Sequence, residues 1–155
     1  MTKLTSPYSI VAPIPRQLDA VLSYWRELRR GQADMPFADD VDLAAIRPLC
    51  RELLVLDVFL LPERFRLGIA DVGMPPEQRG GVLGRFIDEV ELPSPLDLLR
   101  SQCSATLECG QPTVYRHVPC ARSGEPYSRL LAPAWGEGQV RMLLGAVERG
   151  RRDDD

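Results

Sequence analysis

The feature that most limits how this chain can fold is the apolar run Leu53–Leu61, LLVLDVFLL, which only Asp57 interrupts. The length of the run suits a strand, and its continuous apolarity indicates that both faces of the strand are covered. A sheet that contains such a strand needs a packed layer on each side. With 155 residues, of which 45% are apolar and 26% charged, the chain is long enough to bury that core as one soluble domain.

A second strand and an irregular crossing are predicted next. From Phe65 to Ala70, apolar residues alternate with charged or small ones, which predicts a strand with one buried face. Leu61-Pro62-Glu63-Arg64 predicts the turn of a hairpin between the two strands. The Pro- and Gly-rich chain that follows can continue neither a long helix nor a central strand. Phe65–Val90 is therefore expected to be a strand, a loose crossing and a short apolar element beginning at Gly84-Arg85-Phe86.

The first predicted helix is the clearest. It follows an extended arm at residues 1–14, begins at Pro15 and ends near Gly31, which suits a left-handed helix terminus. Its apolar residues recur at helical spacing and form one stripe: Leu18, Val21, Leu22, Trp25 and Leu28. A stripe of this size must pack on something substantial. Two alternatives remain open, because the helix can lie on its own domain or also pair with another subunit.

The remaining helices and strands complete the fold prediction. A short helix capped by Asp39 or Asp40 is expected up to Ile46, and a longer one from Ser94 to Gly110. Three further strands are expected at Thr113–Val118, Pro126–Ala134 and Val140–Val147. The order predicts an α+β fold: five antiparallel strands, helices on one face, and the N-terminal amphipathic helix on the other. Residues 15–148 would form one domain, followed by a polar tail at residues 149–155.

The last predicted strand indicates which face the first helix covers. Leu143 and Val147 share one side of that strand with Arg141. Three apolar residues from other strands are expected on the same side: Phe59, Tyr127 and Leu131. An outer face this apolar needs a cover, and we expect the amphipathic helix to provide it.

Composition excludes several classes of partner. The net charge of −3 gives no electrostatic case for nucleic acid. No apolar run approaches the roughly 20 residues that cross a bilayer, and the first residues lack the apolar core of a secretory signal. We therefore expect a cytoplasmic protein with no membrane contact. The absence of asparagine and the single lysine, Lys3, are typical of a GC-rich bacterial genome.

No set of residues predicts a metal site or catalysis. The cysteines form no C-x-x-C pair, which predicts free thiols: Cys50, Cys103, Cys109 and Cys120. Cys109, His117 and Cys120 lack a fourth ligand and the spacing of a zinc site, so no metal is expected. The sequence contains neither the G-x-S-x-G elbow nor the G-x4-G-K-[ST] phosphate loop.

A set of short segments, in order and spacing, resembles a PAS-like domain. They lie within residues 18–148: Trp25–Arg29, Met35-Pro36, the LLVLDV run, Arg64–Gly68, Gly84-Arg85, Leu130–Pro133 and Leu143–Gly145. The chain is similar to the single-domain type of about 150 residues common in alphaproteobacterial sequences. The resemblance implies a five-stranded antiparallel sheet whose concave face meets small helices around a ligand pocket. It also implies sensing or partner binding rather than catalysis.

The resemblance limits the cofactors that we expect. Flavin-binding light sensors of this family need an Asn-Cys-Arg-Phe-Leu segment, whereas Gly84 stands at the cysteine position here and the chain has no asparagine. A flavin–thiol adduct is therefore excluded. Haem needs an axial ligand, usually histidine. Haem is not expected, because the only histidine, His117, lies on a predicted strand. The cofactor stays unassigned.

The favoured hypothesis is a stand-alone sensory or regulatory module that binds a small molecule or a signalling protein. Its candidate ligand-binding residues are Tyr115, His117, Ser128 and Arg85. The first three are expected to share one face, alternating against Arg116 and Arg129. The module is also expected to form a homodimer through three residues of the first helix: Leu18, Leu22 and Trp25.

The alternative hypothesis is a small α+β enzyme with a pocket. His117 would be its general base, with Asp57 or Tyr115 as partner. An enclosed cavity in which His117 and a carboxylate converge would favour the enzyme. A packed interior without such a pair would favour the binding module.

Overall fold

The computed structural model describes residues 8–119 and 125–150. The helices are α1 (Arg16–Leu28), α2 (Leu43–Ile46), α3 (Pro76–Val82) and α4 (Leu99–Cys109), with a 3-10 turn at Ala38–Asp40. The strands are β1 (Glu52–Leu60), β2 (Glu63–Asp71), β3 (Thr113–His117), β4 (Tyr127–Gly136) and β5 (Gln139–Arg149). All five strands form one antiparallel sheet in the order β2-β1-β5-β4-β3. The predicted α+β class and the five-stranded antiparallel sheet are confirmed.

The sheet separates two apolar layers. The inner face carries Leu143 and Val147 of β5 and packs against α4 and the chain around α3. The outer face carries Leu144 and Ala146 of β5 and packs against α1 and α2. The side chains of β1 enter the two layers alternately, which explains why the strand is apolar at almost every position. Those on the inner face are Leu54, Leu56 and Val58, and those on the outer face are Leu53 and Val55.

The prediction that α1 covers the side of Leu143 and Val147 is wrong. The helix covers the opposite side, and Leu143, Val147, Tyr127 and Leu131 all lie in the inner layer under α4. Both faces of β5 are apolar, so the sequence indicated correctly that each needs a cover. It could not say which helix covers which, because that depends on where the connecting chain crosses the sheet.

The apolar stripe of α1 is buried within its own chain. Leu18 and Leu22 are 0% exposed and Trp25 is 1% exposed. Trp25 Nε1 also donates a 2.8 Å hydrogen bond to the carbonyl oxygen of Pro133 on β4. The stripe therefore packs on the sheet, and the predicted dimer interface at these three residues does not fit the structure, which leaves them no accessible surface.

Several predicted boundaries differ from the structure. The short helix α2 is capped by Asp42, whose Oδ1 accepts from the Ala44 amide at 3.0 Å, and not by Asp39 or Asp40. The predicted tail begins too early, since β5 continues to Arg149, which pairs with Glu52 at 2.7 Å. Cys120 and residues 151–155 of the predicted tail lie outside the described residues.

The start of α4 lies five residues later than the predicted cap at Ser94. Leu98, directly before the helix, has φ +55°, a left-handed conformation that a right-handed helix cannot contain. The carbonyl oxygens of Pro95 and Asp97 accept hydrogen bonds from the buried Arg129 guanidinium. Because these carbonyls bond to a residue of β4 and not to amides of the helix, residues 95–98 form a turn in place of a first helical turn.

Both edges of the sheet are bordered by other parts of the chain. Beside β2, residues 84–87 form an added antiparallel segment, with hydrogen bonds from the Gly84 amide to the Leu67 carbonyl (2.7 Å) and from the Ile87 amide to the Phe65 carbonyl (2.9 Å). Beside β3, the arm pairs through Tyr8, whose carbonyl accepts from the Val114 amide at 2.8 Å. The predicted loose crossing after Phe65 is thus α3 followed by an edge segment. None of the helices in the described ranges is long and apolar enough to cross a membrane.

Candidate functional site

The hairpin register of β3 and β4 brings a set of polar side chains onto the inner face. Tyr115 lies opposite Arg129, and His117 lies opposite Tyr127. Side chains at paired positions point to the same side of a sheet, and successive residues alternate. Thr113, Tyr115 and His117 therefore share the inner face with Tyr127 and Arg129.

Arg129 is the centre of this set. The residue is 0% exposed, although arginine is rarely buried completely. Its Nε donates to Gln102 Oε1 (2.8 Å), its Nη1 to the Pro95 carbonyl (2.9 Å) and its Nη2 to the Asp97 carbonyl (2.8 Å). The guanidinium carbon also lies 5.0 Å from the centre of the Tyr115 ring, within cation–π range.

The charge on Arg129 is stabilised mainly by neutral groups. Within the described chain, no carboxylate lies within ion-pair distance of its guanidinium. Burial lowers the pKa of Arg129, but an arginine side chain stays protonated in proteins. The inner face thus holds a fixed positive charge that carbonyl dipoles and one aromatic ring stabilise.

Gln102 connects this arginine to α4 and β3. Its Nε2 donates to Thr113 Oγ1 and to the Arg129 carbonyl oxygen, both at 3.0 Å. Thr106 Oγ1 lies 2.6 Å from Thr113 Oγ1 and donates to the Gln102 carbonyl at 2.8 Å. Every buried side-chain nitrogen and oxygen in the described residues has a hydrogen-bond partner. The network therefore fills the space between α4 and the sheet without an unsatisfied group.

An aromatic cluster lies between this network and the β3 edge. His117 stacks on Tyr127 with ring centres 4.8 Å apart, and its Nδ1 lies 2.9 Å from the Tyr115 hydroxyl. The Tyr127 hydroxyl donates to Asp97 Oδ2 at 2.8 Å. Burial, then the bond to Asp97, raises the pKa of Tyr127, and burial also raises the pKa of Tyr115. Both phenols therefore stay protonated and serve as hydrogen-bonding groups at neutral pH.

The structure brings two of the four predicted ligand-binding residues together. Tyr115 and His117 are in contact on the inner face. Ser128 is paired with Arg116 and faces the opposite side, so the expectation that it shares their face is wrong. Arg85 is exposed in the segment beside β2, at the other edge of the sheet from β3. The predicted set of four is therefore not one site.

The enzyme hypothesis needs a carboxylate next to His117, and Asp57 is not placed to supply it. Asp57 is on β1 and pairs with Arg66 at 3.1 Å. Two strands lie between β1 and β3, so the strand spacing alone separates them by about 14 Å. Tyr115, the other predicted partner, does contact His117, but burial raises its pKa, so it stays a neutral phenol and offers the imidazole no negative charge.

Sequence reasoning missed Arg129, Gln102 and Asp97. The sequence analysis expects Arg129 on the face opposite Tyr115 and His117, yet period-two alternation puts it on the same face as Tyr127 and Leu131. Gln102 similarly lies three residues after Leu99, on the same side of α4, and both are buried. The signal that could have found both is a polar residue at a core position, which calls for a buried partner.

A cleft of about 500 Å³ lies next to Tyr115, between the N-terminal arm, the residue before α4, and β3. Its walls include Tyr8, Val11, Leu98 and Val114. Val11 and Leu98 are 61% and 59% exposed, which is high for apolar residues. The size of the cleft falls within the range of small-molecule sites. Sequence reasoning missed this cleft because it depends on how the arm returns to β3.

The described residues contain no group of three or more histidine, cysteine, aspartate or glutamate side chains that could hold a metal ion. Cys109 is exposed, while Cys103 is buried on the inner face, and burial raises its pKa. Cys120, the other cysteine of the considered metal set, lies outside the described residues. Gly84 lies in the segment beside β2 with no thiol at that position, so this chain does not fit a flavin–thiol adduct there.

The sheet order β2-β1-β5-β4-β3, with α4 on the inner face, is an α+β arrangement consistent with a PAS-like fold. No protein-family model matches the sequence, and no curated protein is significantly similar to it. One solved structure with some likeness is described as "Structure of an RNA-binding Light-Oxygen-Voltage Receptor". It is 22% identical with a TM-score of 0.35, and the match covers 65% of this chain and 30% of that chain. RNA binding is a property of that receptor, and the fold assignment for this chain rests on its own sheet order and register.

Proposed function

We propose that the protein is a PAS-like sensory or regulatory module that acts by binding, without catalysis. One observation carries the proposal: the space between α4 and the inner face of the sheet is filled by the hydrogen-bonded network of Arg129 and Gln102. A packed interior of this kind supports binding at the surface over catalysis between α4 and the sheet. His117, the candidate base, bonds to Tyr115 and stacks on Tyr127 instead of meeting a carboxylate.

Recognition would then take place at the surface. A signalling protein is the favoured partner, because the interior is occupied by the chain itself. A small molecule is the second candidate, and the cleft beside Tyr115 favours it, since Val11 and Leu98 offer exposed apolar contacts next to a phenol. Tyr115 lines this cleft and remains the proposed ligand-binding residue there. His117 contacts the Tyr115 hydroxyl without lining the cleft, and Ser128 and Arg85 do not line it.

Self-association and a cytoplasmic location are also part of the proposal. Any homodimer would use a surface other than the buried α1 stripe, and Leu98 and Val118 (77% exposed) near β3 are apolar residues available for it. Cys50, Cys103 and Cys109 are free thiols, which is the usual state of cysteine in the cytoplasm.

Native mass spectrometry of the freshly purified protein, with sedimentation at micromolar concentration, tests the proposal. We expect a bound small molecule or protein partner that is released chemically unchanged. Tyr115→Ala should weaken a small-molecule ligand, while the control Tyr24→Ala, a half-buried tyrosine of α1 away from the cleft, should not. A substrate that the wild type turns over and that His117→Gln no longer converts would overturn the proposal in favour of the enzyme.

A further inference from the structure

A groove of about 630 Å³ lies on the outer side of the molecule, between the first turns of α1 and the chain that joins α2 to β1. Three arginines line it: Arg16, Arg47 and Arg51. Its other lining residues are apolar or neutral, and none is an aspartate or a glutamate. The groove is thus positive although the net charge of the chain is −3.

The positive charge of the groove is only partly neutralised. Arg47 pairs with Asp71 at 2.6 Å, but Arg16 and Arg51 have no carboxylate within ion-pair distance in the described part of the chain. Glu148 approaches the groove at Gln17, whose backbone amide donates to its Oε1 at 2.5 Å, but in the described residues it forms no ion pair with either arginine. Two exposed guanidinium groups therefore remain available for an added anion.

The position of the groove at the N-terminus of α1 increases its preference for negative charge. The positive end of the helix dipole lies at Arg16 and Gln17. The Gln17–Glu148 bond shows that a carboxylate is accommodated at this end. Guanidinium groups bind carboxylates through paired N–H donors, which gives such contacts direction as well as charge.

We propose that this groove binds an acidic segment of a partner protein. The inference rests on the proposed function, since it names the class of partner that the module would contact. A short acidic segment fits the charge distribution better than nucleic acid does. A long polyanion would meet the net negative charge of the whole molecule, whereas a short one meets only the arginines. The groove volume also matches sites that hold a few side chains.

Fluorescence anisotropy with a labelled hexa-aspartate peptide tests the proposal. We expect binding by the wild type that weakens as sodium chloride rises. Arg16→Gln with Arg51→Gln should weaken it about 5- to 20-fold, because each exposed pair contributes roughly two- to fivefold. The matched control is Arg26→Gln with Arg100→Gln, which removes the same charge from exposed sites outside the groove. The control should change binding by less than about twofold.

Three outcomes would overturn the proposal. Equal losses in both double variants would show attraction to net charge alone. Tighter binding of a six-nucleotide RNA than of the peptide would indicate a nucleic-acid site. Binding only after removal of residues 151–155 would assign the groove to the chain's own aspartates, Asp153–Asp155. None of these outcomes bears on the Tyr115→Ala and His117→Gln measurements, so failure of the groove and failure of the binding module are distinguishable.

Discussion

Replacing Arg129 by methionine tests whether the inner network is structural filling. Methionine keeps an unbranched chain that can occupy part of the same space. The change removes three hydrogen bonds that a charged donor makes to Gln102 Oε1 and to the carbonyls of Pro95 and Asp97. At roughly 1.5–3 kcal/mol each, these bonds represent about 4.5–9 kcal/mol. The relief of the desolvated guanidinium opposes that loss by several kcal/mol. We expect a net loss of about 2–4 kcal/mol in the free energy of unfolding.

Urea unfolding followed by the fluorescence of Trp25 and Trp135 measures this loss. The exposed Arg100→Met is the matched control and should change the free energy of unfolding by less than about 0.5 kcal/mol. Gln102→Leu alone should also destabilise, because it leaves Arg129 Nε without its acceptor. The double variant should lose about 1–2 kcal/mol less than the sum of the two single variants.

Two results would refute this reasoning about Arg129. An Arg129→Met protein as stable as the wild type would mean that desolvation cancels the hydrogen bonds and that the arginine is not needed to fill the interior. Strict additivity with Gln102→Leu would mean that the two side chains are not coupled, despite their 2.8 Å contact. Either result would favour the alternative that the Arg129 guanidinium serves to bind an anionic ligand in the interior.

Three further predictions concern stability. Gly145→Ala should lower the free energy of unfolding in urea by about 1–3 kcal/mol, because a Cβ there would lie 2.6 Å from Leu54 Cγ and 3.1 Å from Leu131 Cδ2. The control Gly80→Ala, on open surface, should instead stabilise the protein slightly. Similar effects at both positions would contradict the packing around Gly145. Trp25→Asp should lower the free energy of unfolding by about 3–5 kcal/mol and leave the monomer unfolded, as judged by circular dichroism. A variant that stays folded and has only lost a dimer would contradict the burial of Trp25. Burial raises the pKa of Glu52, but hydrogen bonds from Arg149 and the Gly73 amide outweigh it and lower the pKa below the ordinary value of 4.5. The stabilisation by Glu52 is thus present above its pKa in the unfolded state and is lost as pH falls through its pKa in the folded state. Glu52→Gln should therefore flatten the acid side of the curve of stability against pH. An unchanged slope would contradict the pairing of Glu52 with Arg149.

The sequence predicted the strands because their periodicity survives in the structure. From Leu53 to Val58 the run has both faces buried, as continuous apolarity indicated, whereas Leu61 at its end is exposed. Phe65 and Leu67 face the inner layer. The stripe of α1 is buried on the sheet, so the tertiary contact agrees with the 3.6-residue period. The local sequence pattern was enough to predict a helix or strand wherever one of its faces packs into one apolar layer of the core.

Prediction failed where a buried polar group overrides a local signal. Ser94-Pro95-Leu96-Asp97 has the composition of a helix start, yet the carbonyls of Pro95 and Asp97 bond to Arg129, about 30 residues later in the chain. No local pattern contains that contact. The same residue explains the error at Ser128, since expecting Arg129 on the face opposite Tyr115 puts its neighbour Ser128 beside Tyr115.

The candidate site depends on the face of β4 that Arg129 occupies. With Arg129 inside, Tyr115 has a cation on one side and the open cleft on the other, so it is the residue that connects interior and surface. The same guanidinium holds the carbonyl of Asp97, and the next residue, Leu98, forms the opposite wall of the cleft. The shape of the cleft therefore depends on a buried charge whose geometry is fixed on three sides. Tyr115 and Leu98 are therefore the two cleft residues connected through Arg129 to the start of α4.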